Sequence, residues 1–125
     1  MTKEKIEMEF PMHSSPKILF NCISTATGLQ SWFADEVNEH DGFFEFRWGD
    51  EVMRAKPVHR REGKLMVFKW LDQPENYTLE FEIITDELTN DVSLVVRDYC
   101  LKEDIEETKR LWDSQIHNLK HIIGS

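Results

Sequence analysis

The most informative stretch of this chain covers residues 23–34 and is Ile23-Ser24-Thr25-Ala26-Thr27-Gly28-Leu29-Gln30-Ser31-Trp32-Phe33-Ala34. Thr27 and Gln30 have the spacing of a capping box, in which the hydroxyl accepts a hydrogen bond from the third helical amide and the glutamine reaches back. The pattern predicts a short helix that ends near Ala34. The apolar residues that share one face of it at helical spacing are Leu29, Trp32 and Phe33.

A strand and another short helix are predicted before this segment. In residues 3–13, apolar side chains alternate with polar ones, which is the period of a half-buried strand. Ser14-Ser15-Pro16 then offers a helix N-cap followed by a proline at the first helical position, and apolar residues recur at helical spacing to about Ser24. The predicted inward face of the strand consists of Ile6, Met8, Phe10 and Met12.

The chain from Asp35 to Leu101 has the pattern of consecutive strands separated by turn residues. Asp41-Gly42 and Gly49-Asp50 favour the positive φ angles of tight hairpin loops, so an antiparallel meander is more economical than parallel strands joined by helices. With the first strand, the sheet has about seven strands. The six later strands are predicted at residues 35–40, 43–48, 51–60, 64–71, 77–85 and 92–101.

A long amphipathic helix is predicted over residues 104–123. Acidic residues crowd its N-terminal end, basic residues lie near its C-terminal end, and Gly124 is placed to cap it. No linker or repeat interrupts the order of elements. We therefore predict a single domain over residues 1–125, in which this helix covers the apolar face of the sheet.

The charge balance excludes one broad class of partner. The 125 residues carry 15 Lys or Arg against 24 Asp or Glu, a formal net charge of −9. Nucleic acids and anionic lipid surfaces both require clustered positive charge, so we expect neither as a partner. The charged N-terminal residues and the lack of a long apolar run predict a cytoplasmic protein with no signal peptide and no membrane insertion.

Three segments resemble a known superfamily. Residues 23–34, with a short helix, a turn and then Trp32-Phe33, resemble START-like (SRPBCC) proteins of the group named for the activator of the heat-shock chaperone ATPase. The runs Lys69-Trp70-Leu71-Asp72 and Leu111-Trp112-Asp113-Ser114-Gln115-Ile116 resemble a small, single-domain bacterial family of that superfamily. The resemblance implies an α+β helix-grip fold, a curved antiparallel sheet wrapped around a long C-terminal helix. That fold includes lipid carriers, enzymes and co-chaperone modules, so it does not select a function.

Large rings on the expected concave face are the candidate ligand-binding residues. A sheet folded around one helix tends to leave a cleft at its open end, where a flat apolar molecule can bind. The alternative for each ring is an ordinary place in the core. The candidate ligand-binding residues are Trp32, Phe33, Phe44, Phe46, Trp48, Trp70, Phe81, Trp112, Gln115 and Ile116.

Polar residues that could orient a ligand lie in the strands and the terminal helix. Alternation along the last strand turns either Arg97 or Asp98 toward the helix, and an inward charge needs a partner because burying it alone is costly. The alternative is an ion pair at the edge of the sheet. The polar candidates are Arg54, Arg97, Asp98, Tyr99 and Gln115.

Catalysis and metal binding have weaker support in the sequence. Cys22 lies on the apolar face of a predicted helix, where burial makes a thiol unreactive, and we expect Cys22 and Cys100 to be free thiols. Asp113, His117 and His121 share one helical face, but that face points away from the apolar one and lacks a fourth ligand. We predict no catalytic residue, no metal site and no cofactor.

The resulting functional prediction is a non-enzymatic protein that binds a small hydrophobic or aromatic ligand between the sheet and the terminal helix. One alternative is a protein-interaction module resembling the co-chaperone activators, and a fully packed interior would favour it. The other is an enzyme of the cyclase or dehydratase kind, which requires an inward His or carboxylate pair. The sequence does not determine the ligand or the oligomeric state.

Overall fold

The computed structural model describes residues 2–74 and 76–124, and in them an antiparallel sheet wraps around a long C-terminal helix. The predicted order of a strand, two short helices, six strands and a long helix is confirmed. The helices are α1 (Pro16–Ser24), α2 (Ala26–Gln30) and α3 (Ile105–Ile123), with a 3-10 turn at Lys102–Asp104 before α3. The strands are β1 (Glu4–Met12), β2 (Glu36–His40), β3 (Phe43–Trp48), β4 (Glu51–Arg61), β5 (Leu65–Trp70), β6 (Thr78–Thr85) and β7 (Val92–Cys100).

The strand order across the sheet is β1-β7-β6-β5-β4-β3-β2, with antiparallel pairing throughout. Strands β2 to β7 form the predicted meander, and β1 pairs with β7 along its whole length, from Glu4 opposite Cys100 to Met12 opposite Val92. The register of β4 and β5 shifts between Pro57 and His59. Such an irregularity bends a strand, and proline has no amide to donate to a ladder.

The hydrophobic core lies between the concave face of this sheet and α3. Phe46, Phe68 and Phe81 come from three different strands and are fully buried. Their positions follow the alternation of apolar and polar residues along each strand, which gives the sheet one apolar face. The residues that α3 buries against this face are Trp112, Ile116 and Leu119.

The predicted N-cap of α2 is wrong by two residues. The hydroxyl of Thr25, rather than that of Thr27, accepts a hydrogen bond from the amide of Gly28 at 2.9 Å, so α2 begins at Ala26. Thr25 has the extended backbone that a cap requires, because it directly follows the end of α1. The side chain of Gln30 joins α2 to β2 instead, since its Oε1 accepts from the amide of Val37 at 2.9 Å.

The second helix is also shorter than predicted, because it ends at Gln30 and not near Ala34. Residues 31–33 form a turn in which the carbonyl of Phe33 accepts hydrogen bonds from other elements. Trp48 Nε1 donates to it at 2.7 Å and Gln115 Nε2 donates to it at 3.2 Å. This turn therefore ties β3 and α3 together.

Candidate functional site

An open cleft of about 410 Å³ lies between the sheet and α3. Its walls come from distant parts of the chain: Lys3 before β1, Phe33 in the turn after α2, the strands β3 to β7 and residues 108–115 of α3. Most of the side chains on the walls are apolar or aromatic, and a small number of polar groups lie among them. The lining residues are Lys3, Phe33, Trp48, Met53, Trp70, Gln73, Tyr77, Leu79, Asp98, Tyr99, Thr108, Leu111, Trp112 and Gln115.

One wall of the cleft is a cluster of rings held in fixed positions. Phe33 stacks on Trp112 with ring centroids 5.6 Å apart and an interplanar angle of 18°, and it meets Trp48 edge-on at 5.3 Å. The hydrogen bonds from Trp48 and Gln115 to the Phe33 carbonyl fix the backbone of this wall. These contacts restrain the rings and the backbone of the wall, which lowers the entropic cost of binding a ligand against them.

The carboxyl group of Asp98 is the acidic group on the cleft wall. Asp98 is half-buried on β7 and faces α3, where Trp112 Nε1 donates to its Oδ2 at 2.9 Å and the amide of Tyr99 donates to its Oδ1 at 2.8 Å. Burial raises the pKa of Asp98, and the hydrogen bonds from Trp112 and Tyr99 oppose that rise. The alternation on β7 thus points Asp98 inward and Arg97 outward.

Polar and aromatic side chains from three segments meet on another part of the wall. The backbone amide of Lys3 donates to the Tyr77 hydroxyl at 3.0 Å, and Lys3 Nζ donates to Gln73 Oε1 at 3.3 Å. The same ammonium lies 5.2 Å from the centroid of the Tyr77 ring, and the rings of Tyr77 and Tyr99 are 5.1 Å apart. The ammonium group of Lys3 thus contacts the side-chain oxygen of Gln73 and the ring of Tyr77.

A family model for the START-like superfamily domain matches residues 1–125. The chain belongs to the START-like superfamily. A protein from Bacteroides fragilis, solved by solution NMR, is 36% identical to this START-like domain, with 98% of this chain and 92% of that chain covered and a TM-score of 0.69. Membership of the START-like superfamily, which the resemblance of residues 23–34 indicates, is thereby confirmed.

More distant structures share the fold of this START-like domain. The Aha1 dimer from Colwellia psychrerythraea is 15% identical, with 96% of each chain covered and a TM-score of 0.81. A protein from Bacillus halodurans is 17% identical, with 98% of this chain and 99% of that chain covered and a TM-score of 0.77. No curated protein matches the sequence. The comparisons therefore establish fold and superfamily, and the cleft must be interpreted from its own residues.

The structure brings half of the candidate ligand-binding residues of the START-like domain to the cleft. Four of the others lie in the core instead, and Trp32 lines a second, more open depression of about 480 Å³. Trp32 is 6% exposed, and its Nε1 donates to the carbonyl of Cys22 at 2.8 Å. The candidates on the cleft are Phe33, Trp48, Trp70, Trp112 and Gln115, and those in the core are Phe44, Phe46, Phe81 and Ile116.

Several residues that line the cleft are not among those predicted from the sequence. The alternation over residues 77–85 sets Tyr77, one residue before β6, and Leu79 on the same face as Phe81, so both could have been predicted. Met53 lies two residues before the buried Ala55 on β4 and so faces the same side of the sheet, which is a weak signal of the same kind. The other missed residues, Lys3, Gln73, Thr108 and Leu111, carry no local pattern that marks them.

The remaining polar candidates of the START-like domain lie outside the cleft. Arg54 pairs with Asp72 on the exposed side of β4, where the two side chains are 2.7 Å apart. Arg97 lies on the outer face of the sheet and bonds to acidic residues of the neighbouring strands β1 and β6. Those acidic residues are Glu7, Glu80 and Glu82.

Cys22 and Cys100 are buried free thiols, and burial raises the pKa of Cys22. Asp113, His117 and His121 are exposed on α3. Across residues 2–74 and 76–124, no three His, Cys, Asp or Glu side chains are grouped so that they could hold a metal ion. In the same part of the chain, no helix is both long and apolar enough to span a membrane.

Proposed function

We propose that this START-like domain binds a small hydrophobic or aromatic molecule in the cleft between the sheet and α3. The observation that carries the proposal is the open volume of about 410 Å³ beside the ordered wall of Phe33, Trp48 and Trp112. Small-molecule sites in proteins are concave, mostly apolar and on the order of 300–1,000 Å³, with a small number of convergent polar groups. The cleft has each of these properties.

Burial of apolar surface supplies the driving force for this binding. A flat molecule that covers the rings removes their surface from water, at about 25 cal/mol per Å² of apolar area on each partner. Leu111 is 61% exposed at the cleft and adds further apolar surface that a ligand can cover. Because the rings of the wall are restrained by contacts within the protein, little of this free energy is needed to position the binding residues.

The open cleft favours ligand binding over the alternative of a protein-interaction module. A protein-interaction surface needs no cavity inside the domain, whereas here a volume of small-molecule size separates α3 from part of the sheet. The domain provides a binding site in this proposal and performs no chemistry on the ligand.

The test is calorimetric titration with naphthylethanol, a neutral aromatic probe. We expect saturable binding with one site per chain. Met53→Trp fills the cleft from β4 and should abolish the heat of binding. Val52→Trp is the matched control, because Val52 is the adjacent residue on the same strand, is exposed and does not line the cleft.

Two results would contradict the proposal. One is the absence of any saturable binding of naphthylethanol by the wild-type protein. The other is binding that Met53→Trp and Val52→Trp weaken equally, since the probe would then occupy another surface. Native mass spectrometry of protein purified gently from its own cells would identify a retained natural ligand by its mass.

A further inference from the structure

The acidic group on the cleft wall restricts which apolar molecules can bind well. A carboxylate has about four lone-pair sites, and Asp98 receives hydrogen bonds from Trp112 Nε1 and the amide of Tyr99. No ion pair to Asp98 occurs among residues 2–74 and 76–124. Asp98 therefore presents a carboxylate with spare acceptor capacity on the wall of a largely apolar cleft.

Lys3, the basic residue on the same wall, does not take the place of a cationic ligand group at Asp98. Lys3 Nζ donates to Gln73 Oε1 at 3.3 Å and lies 5.2 Å from the centroid of the Tyr77 ring. It lowers the pKa of Asp98 less than the hydrogen bonds from Trp112 and Tyr99 do. Lys3 thus acts on Asp98 at longer range than a salt bridge.

A bound ligand changes the energetics of Asp98. When a molecule fills the cleft it excludes water from the carboxylate, and a buried charge without a compensating partner is costly. A hydrocarbon gives no compensation, and an acidic ligand adds repulsion between like charges. An ammonium group supplies both an opposite charge and N–H donors, the stronger class of hydrogen bond.

The aromatic wall and the carboxylate share one residue, which sets their relative position. The Trp112 ring stacks on Phe33, and its N–H edge donates to Asp98. A ligand ring lying against this wall therefore has Asp98 at the edge of the wall. From this juxtaposition we propose that the natural ligand class is an aromatic or apolar amine, whose ammonium group binds Asp98. This inference rests on the proposed function, because it requires the cleft to be a ligand site.

Three probes with the same ring test the inference: naphthylethylamine, naphthylethanol and naphthylacetate. They carry a cationic, a neutral and an anionic group at neutral pH. We expect the amine to bind about tenfold or more tightly than the alcohol, which is the range of a charge-assisted hydrogen bond, and the acid to bind weakest. Calorimetry at moderate ionic strength measures all three affinities.

Asp98→Asn separates the charge of this residue from its structural role. The amide oxygen still accepts from Trp112 Nε1, so the ring wall keeps that hydrogen bond, while the negative charge and the acceptor for the Tyr99 amide are lost. We expect Asp98→Asn to reduce the amine affinity about tenfold and to reduce the affinity for the alcohol much less, so that the preference for the amine is lost. Glu9→Gln is the control, because it changes the net charge equally at an exposed position outside the cleft. The Trp indole N–H resonances report whether each variant keeps the wall intact.

The possible outcomes separate this inference from the proposed function. If the amine has no advantage over the alcohol, if the acid binds best, or if Asp98→Asn leaves the amine preference intact, the amine assignment is wrong. In those cases, binding of naphthylethanol that Met53→Trp abolishes would still support the cleft as a ligand site. If no probe binds, both the proposed function and the inference fail.

Discussion

Asp98 combines a structural contact with a charge that burial disfavours. Its pKa is raised mainly by burial, so the folded protein holds this proton more tightly than the unfolded chain does. The unfolded pKa of Asp is about 3.9. The contribution of Asp98 to stability is therefore fully present below that value, and is lost as the pH rises through the raised folded pKa.

Asp98→Asn should accordingly raise the melting temperature at neutral pH. The asparagine keeps an acceptor for Trp112 Nε1 without a buried negative charge, so the gain over wild type should shrink as the pH falls toward 4. Thermal unfolding of both proteins across this pH range measures the difference. A variant that is less stable than wild type by the same amount at every pH would show that the lost carboxylate hydrogen bonds outweigh the charge.

Gly28 is a second residue whose identity is set by its surroundings. A Cβ at this position would lie 2.1 Å from the carbonyl oxygen of Asn21 and 2.8 Å from the Cα of Cys22. Both are backbone atoms of α1, so α2 would have to move away. Gly28→Ala should therefore lower the free energy of unfolding by at least about 1–3 kcal/mol, the usual cost of overpacking.

Gly42→Ala is the comparison for that prediction. Gly42 has a φ of 87° and open space around the Cβ position, so only backbone strain of about 1–2 kcal/mol is expected. Urea unfolding of the two variants measures both losses. If Gly28→Ala is as stable as wild type, the close approach of α1 and α2 is not tight in solution.

At the level of elements, Arg97 joins three strands on the outer face of the sheet. Its Nε bonds to Glu7 of β1 at 2.6 Å, and its Nη1 bonds to Glu82 of β6 at 2.9 Å and also to Glu80 of β6. Arg97 is 19% exposed, so water screens these contacts less than it screens pairs at the surface. The pKa of Arg97 is raised by the three acidic partners, against the effect of burial, and Arg97 remains charged.

Arg97→Met should lower the free energy of unfolding by about 1–3 kcal/mol, because it removes hydrogen bonds to charged groups and leaves the acidic side chains without their shared cation. Arg54→Met is the control: Arg54 is half exposed in its pair with Asp72, so its loss should cost much less stability than the loss of Arg97. Equal losses for the two variants would contradict a special role of Arg97.

The elements could be predicted from sequence because their signals are local. Alternation along β1, β3 and β6 and the turn residues between strands are visible within ten residues or so. The predicted N-cap of α2 is wrong because Thr25 and Thr27 both carry a hydroxyl that can cap a helix. Which of the two does so depends on where α1 ends. The Phe33 carbonyl accepts hydrogen bonds from Trp48 and Gln115, which are distant in the sequence, so no local pattern predicts them.

For the whole molecule, the position of the cleft could be predicted only in part. Phe46 and Trp48 lie on the same face of β3 and have the same sequence pattern, yet Phe46 is in the core and Trp48 lines the cleft. Phe46 packs against the rings of Phe68 and Trp70 from β5, and such packing between strands is a property of the assembled fold. Lys3 and Gln73 meet at the cleft because distant parts of the chain come together there, and their contact spans 70 positions.

Trp112 links the core of the whole molecule to its cleft, and its substitution should therefore affect both stability and binding. The ring is 5% exposed, stacks on Phe33 and bonds to Asp98. Trp112→Ala should lower the free energy of unfolding by about 3–5 kcal/mol and remove naphthylethanol binding, because a cavity replaces part of the wall.

Trp112→Phe distinguishes the contribution of the ring from that of the indole N–H. The smaller ring still fills most of the space, so we expect a stability loss well below that of Trp112→Ala and retained binding of naphthylethanol. Asp113→Ala, at the exposed neighbouring position, should change stability by less than about 0.5 kcal/mol. Urea unfolding and calorimetry on the same samples measure both quantities. Loss of probe binding in Trp112→Phe without a matching loss of stability would mean that the indole itself, beyond its ring area, contacts the ligand.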